Sequence, residues 1–113
     1  MTENSAIPLT ETTLLILMSL SAGPRHGYAI MKAAESLSEG RVRLSTGTLY
    51  GALKRLLDDA WIERTEDPFP VESERERKVY ILTEQGRRVL NTEIRRMRML
   101  VAIASKHSEQ GAA

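Results

Sequence analysis

Between residues 45 and 55 the chain carries Ser45, Thr46, Thr48, Tyr50, Lys54 and Arg55, a cluster of hydroxyls, one phenol and two cations. Thr46, Thr48 and Tyr50 are donors suited to phosphate oxygens, and Lys54 and Arg55 can neutralise phosphates or donate to a guanine edge. Ser45 stands where a helix would begin, and the free N–H groups of such a start attract anions. Gly47 and Gly51 lie one helical turn apart within the cluster. Lacking side chains, they either let a phosphate or base edge approach the backbone or mark a bend or tight contact inside the chain.

A second charged stretch, Glu72 to Lys78, supplies Arg75, Arg77 and Lys78. Arg75 reads either as a phosphate contact or as part of a solvated loop. Glu72, Glu74 and Glu76 would be repelled by phosphates and are expected to face away. Tyr28 is read either as a half-buried ring or as a phosphate contact, whereas Tyr80 falls in an apolar alternation that suits a core.

Catalytic and metal chemistry find little footing. There are two histidines, His26 and His107, and no cysteine, and no carboxylates are spaced to complete a metal site with either imidazole. His26 is expected to cap a helix. No nucleophile–base constellation or Gly-rich phosphate loop is present, so neither an enzyme nor a cofactor is expected.

The elements that must hold these residues follow from periodicity. A length of 113 residues suits one folding unit. The apolar run Leu14 to Leu20 is far too short to span a bilayer, no basic region precedes it as in a signal peptide, and the expected location is the cytoplasm. Thr10 and Glu11 open a first helix that is apolar nearly all round, ended by Ser21-Ala22-Gly23-Pro24. A second helix spans about His26 to Leu37, with Ile30, Ala33, Ala34 and Leu37 on one side, and Arg41 to Leu44 is a linker or short strand. The third opens at Ser45. It turns Leu49, Ala52, Leu53, Leu56 and Ala60 inward and Gly47, Tyr50, Gly51, Lys54 and Asp58 outward. Trp61–Thr65 and Lys78–Leu82 alternate as two strands of a hairpin. A long last helix from Thr83 carries Leu90, Ile94, Met97, Val101 and Ala104 at 4-3-4-3 spacing, widened by Val89, Leu100 and Ile103. At about 1.5 Å per residue that helix outruns a domain this small, so its far half needs a partner.

The order helix, helix, helix, hairpin, long helix predicts a mainly α (α+β) winged helix-turn-helix with a two-stranded wing, over residues 8–82. A C-terminal dimerisation helix follows over 83–107. In such a fold the third helix enters the DNA major groove and the wing lies along the backbone or the minor groove. Net charge is only +1, so overall charge lends nucleic-acid binding no support.

Gly23-Pro24-Arg25-His26-Gly27-Tyr28-Ala29-Ile30, Ser45-Thr46-Gly47-Thr48-Leu49-Tyr50 and Lys78-Val79-Tyr80-Ile81-Leu82-Thr83-Glu84-Gln85-Gly86 together resemble the PadR transcription regulators across roughly residues 9 to 90. The resemblance implies a homodimer joined mainly through the C-terminal helix, binding an inverted-repeat operator, usually as a repressor, and leaves room for a small-molecule effector. It also implies basic residues at the wing base, matched by Arg77 and Lys78. Two positions depart from the family pattern: Gly51 stands where proline is common, and Ala60 where a glycine usually precedes the first wing strand. A winged-helix module that docks protein instead of DNA is the rival expectation.

Overall fold

The computed structural model describes residues 8–66 and 78–112, with side chains given as far as Ser108. Helix α1 is Glu11–Ser21, and Thr10 caps it by accepting from the Thr13 N–H at 3.2 Å. Leu15, Ile16, Leu17 and Leu20 are all buried, because α2 (Gly27–Leu37), α4 (Glu84–Ala112) and β3 (Lys78–Leu82) cover α1 from several sides. Helix α3 is Thr46–Asp58, and its Leu49, Ala52, Leu53 and Leu56 close the core beneath α1 and α2.

The sheet has three strands, not the expected two. Residues Arg25–His26 form β1, which pairs antiparallel with β3, and β2 (Ile62–Glu66) pairs with the other edge of β3. Two residues carry no alternation, so β1 was invisible to periodicity. It is held from outside: the Arg25 Nε donates to the Ser19 carbonyl at 2.7 Å, tying the strand to the end of α1. His26 occupies the N-cap position of α2 but makes no side-chain cap bond. Its Nδ1 instead lies 3.1 Å from the Lys78 carbonyl, so that nitrogen carries the hydrogen and bonds β3.

Other expectations are corrected by packing. Leu37 is 49% exposed, while Ile30 and Ala34 of the same helix are buried. The stretch 41–44 takes the linker form of the two alternatives; Arg41 pairs with Glu11 and the Val42 N–H donates to Ser38 Oγ at 2.9 Å. Ala60 lies outside α3 and is exposed.

The ends of α2 and α3 share one device. After α3 the Trp61 N–H donates to the Leu56 carbonyl and the Ala60 N–H to Leu57, both at 3.0 Å. After α2 the Gly40 N–H reaches Glu35 at 2.8 Å and the Glu39 N–H reaches Ser36 at 3.0 Å. Both are Schellman closures, which require a left-handed residue just past the helix. Here those residues are Ala60 (φ 63°) and Glu39 (φ 56°), neither of them glycine. A Cβ in that conformation costs about 1 kcal/mol. Ala60→Gly should therefore stabilise the protein by about 0.5–1 kcal/mol, read as a raised thermal midpoint; an unchanged or lowered midpoint would contradict the strain.

Helix α4 is longer than expected, running to Ala112, about 43 Å at 1.5 Å per residue. Among the described side chains of α4, Leu90 and Glu93 are the last buried ones; Met99 to Ser108 are all exposed. The radius of gyration, 16.4 Å, exceeds the roughly 13 Å of a compact chain this long because this helix leaves the body. At the point of departure the Glu93 carboxylate accepts from the Leu9 N–H (3.3 Å) and from Arg96 Nε (2.9 Å) and Nη2 (2.7 Å). The Arg96 guanidinium holds that carboxyl below the usual carboxylate range, against the opposing effect of burial.

Candidate nucleic-acid interface

Ser45 caps α3 as expected: its Oγ accepts from the Thr48 N–H at 3.1 Å and donates to Thr48 Oγ1 at 3.0 Å. With Thr48 capped and Leu49 bonded to the Ser45 carbonyl, the amides of Thr46 and Gly47 are the ones left without an intrahelical acceptor. They form the exposed positive end of the helix dipole.

At Gly47 and Gly51 neither a bend nor a tight contact inside the chain is found, which leaves the other alternative, a backbone open to approach from outside. Neither has a positive φ, α3 runs unbroken through both, and a Cβ added at either would meet no atom within 4 Å. The space over them is open to solvent.

Tyr50 is 41% exposed, and its ring lies across the start of α2. A Cβ on Gly27 would come 3.0 Å from the Tyr50 Cζ and closer still to its hydroxyl. A side chain at position 27 would therefore displace the Tyr50 ring from its place over α2. Together Gly27, Thr46, Tyr50, Arg64, Lys78 and Tyr80 line one hollow between the N-terminal end of α3 and the sheet.

Arg64 was absent from the residues singled out by sequence. A readable signal existed: it stands two residues from the buried Ile62, on the same face of β2, and directly opposite Tyr80 in the ladder. Burial pushes the Tyr80 phenol up, and the hydrogen bond from Arg64 acts against that shift. Tyr80 is buried, as its alternation predicted.

The remaining candidates are less convergent. Lys54 and Arg55 are exposed, and the Lys54 Nζ lies 3.4 Å from the Asp58 carboxylate one turn on. Lys78 Nζ is 3.6 Å from Glu66, its cross-strand neighbour. Arg75 and Arg77 lie outside the described residues. Tyr28 is 61% exposed rather than half-buried, and it lines a different hollow, with Met18, Arg25 and Leu37, under the Lys32 ammonium at 5.8 Å.

Along α4 the expected stripe divides. Leu90 is 3% exposed and belongs to the chain's own core, so it is not free for a partner. Ile94 packs against the same core and Met97 is half-buried, whereas Val101 (64% exposed) and Ala104 are open. Met99, Leu100 and Ile103 are open beside them, so the unpartnered apolar surface wraps the far half of the helix.

Residues 16–92 match the transcriptional regulator PadR-like family. The chain belongs to that family. Among curated proteins it is 38% identical over 90 residues to an uncharacterised 37.1 kDa protein of a Streptomyces fradiae transposon, covering 80% of this chain and 24% of that one. It is 33% identical over 90 residues to the Escherichia coli transcriptional regulator YqjI, covering 80% and 41%. The PadR-like chain thus spans less than half the length of these curated relatives. A PadR family transcription regulator from Clostridium difficile superposes with a TM-score of 0.71 at 25% identity, covering 87% of this chain and 98% of that one. The winged-helix DNA-binding protein F93 from STIV superposes at 0.62 with 19% identity over 80% and 88%, a likeness of fold. The winged helix with a three-stranded sheet is therefore the architecture of this PadR-like chain.

Proposed function

We propose that this PadR-like chain is a sequence-specific regulator that binds duplex DNA as a homodimer, acting as a repressor on an inverted-repeat operator in the cytoplasm. Residues 8–82 form the reading unit and the helix beyond residue 83 the assembly unit. The observation that carries this is the hollow of Thr46, Tyr50, Arg64 and Lys78 beside the uncapped amides of α3, with Gly47 and Gly51 open above it. A helix dipole, two cations and two hydroxyls converge there on a surface with room for a phosphate backbone. α3 would lie in the major groove, with Lys54 and Arg55 reaching along it, and the wing would follow the backbone through Lys78, Arg77 and Arg75. The family relationship supports the repressor role and the room for a small-molecule effector.

The test is binding to the DNA upstream of the chain's own gene across a salt series. Wild type should form a complex that weakens steeply as salt rises, through counterion release. Arg64→Ala and Lys78→Ala should each weaken it and lower the salt slope by about one, with folding intact. The absence of any salt-sensitive complex would favour a protein-docking module instead.

A further inference from the structure

We infer that Glu93, clamped by Arg96 and the Leu9 amide, is a positioning residue that sets the angle at which α4 leaves the domain, and so the half-site spacing the dimer accepts; this rests on the DNA-reading dimer proposed above. Glu93 is 4% exposed and, among the described side chains, is the last buried one before α4 leaves the body. Its oxygens take three donors from two directions: the backbone N–H of Leu9, in the segment leading into α1, and the guanidinium of Arg96 on α4 itself. The Leu9 bond alone joins the entry of α1 to the exit of α4, and the Arg96 bonds, within α4, hold the carboxylate in place to receive it.

Stability alone is a poor reason for a carboxylate there. Desolvating an ion pair is costly, and packed apolar side chains of similar size are often as stable or more so. A directional bond contributes something an apolar contact does not: one preferred geometry. Leu90 and Ile94 hold α4 against the core, but greasy contacts tolerate sliding and tilting by small amounts. The Leu9 N–H bond to Glu93 adds one directional tie between the two segments, and the two Arg96 bonds, made within α4, fix the carboxylate that accepts it.

The consequence is amplified by the length of the lever. Beyond Glu93 the helix continues for 19 residues to Ala112, about 28 Å. A change of about 10° in exit angle displaces its end by about 5 Å, comparable to one or two base-pair steps, and two-fold symmetry applies the change twice. Half-sites are read in register with the helical repeat of DNA, so a shift of that size decides which spacings both α3 helices reach at once.

The experiment selects duplexes from a random library with the full-length protein, then measures affinity for the recovered half-site repeated at spacers varied one base pair at a time. Three proteins are compared: wild type, Glu93→Gln, and the double variant Glu93→Leu/Arg96→Met, which removes the clamp without stranding a buried charge. Wild type should favour one spacing by about ten-fold or more over its neighbours, and both variants should flatten that preference to within about three-fold while keeping the same half-site. A merely structural role would lower the thermal midpoint and leave the spacing profile alone. Should Glu93→Gln fail to fold, the double variant carries the same readout. A wild-type spacing profile in the folded variants would overturn the clamp. No enriched DNA with wild type would overturn the DNA reading itself, and the clamp with it.

Discussion

Gly86→Ala should destabilise the protein by about 2–3 kcal/mol, although the same change in an open helix gains about 1 kcal/mol. Gly86 lies in the first turn of α4, where a Cβ would press into the Trp61 backbone carbonyl and come within 2.9 Å of Leu82 Cδ1. The side chain could adjust; the carbonyl cannot, because it accepts the Thr83 N–H at 3.1 Å. That bond is one of two that fasten the start of α4 to the turn after α3. Thr83 Oγ1 also donates to the Ala60 carbonyl at 2.7 Å and accepts from the Gly86 N–H at 3.0 Å. The Thr-x-x-Gly pattern is thus a joint, with the threonine bonding both ways and the glycine making room. Thermal unfolding should show a midpoint lowered by about 10 °C or more. Gly51→Ala is the control, since a Cβ there meets nothing within 4 Å and the midpoint should rise. A Gly86→Ala midpoint at or above wild type would remove the close approach on which the joint depends.

Val101→Arg should convert the proposed dimer to monomers and reduce operator affinity by about 100-fold or more. Val101 is 64% exposed in the single chain, with Met99, Leu100 and Ile103 open around it, so the substitution leaves the core of the protomer untouched. A cation at the centre of an apolar helix contact would be stranded without a partner. The affinity loss follows from linkage: two half-sites bound through one dimer gain about 10²–10⁴ over separate binding, and monomers forfeit it. Sedimentation reads the first effect and operator titration the second, with circular dichroism confirming an unchanged fold. A persistent dimer would place the interface elsewhere. Leu90 is unsuitable for the same experiment, because it is 3% exposed in the chain's own core and a charge there would unfold the protomer.

Local sequence signals read well wherever a single element settles the outcome. Thr10 and Ser45 cap α1 and α3 because a hydroxyl before a helical run needs only its own next three residues to bond. The inward set Leu49, Ala52, Leu53 and Leu56 follows from a 100° period and needs no knowledge of what covers it. The same reasoning placed Gly47, Tyr50 and Lys54 on the outer face of α3, where they stand. It did not find β1, because Arg25 and His26 become a strand only by bonding to Tyr80 and Val79 more than fifty residues away.

The site divides along the same line. The cluster that opens at Ser45 could be read for its chemistry, since hydroxyls, glycines and cations on one helix declare which groups they suit. Its membership could not. Arg64 joins Thr46, Tyr50 and Lys78 only when β2 is laid beside β3 and the sheet is set against α3, while Tyr28 is carried to a different hollow by the path of α2. Likewise the heptad-like stripe on α4 announced an apolar face, but how much of it the domain itself would cover depended on where α4 crosses α1. Residue type and period are properties of the chain and determined the elements, their caps and their polar faces. Which of those faces meet, which glycine must yield to a carbonyl, and where a buried carboxylate anchors the last helix depended on contacts between distant segments, which only the folded chain brings together.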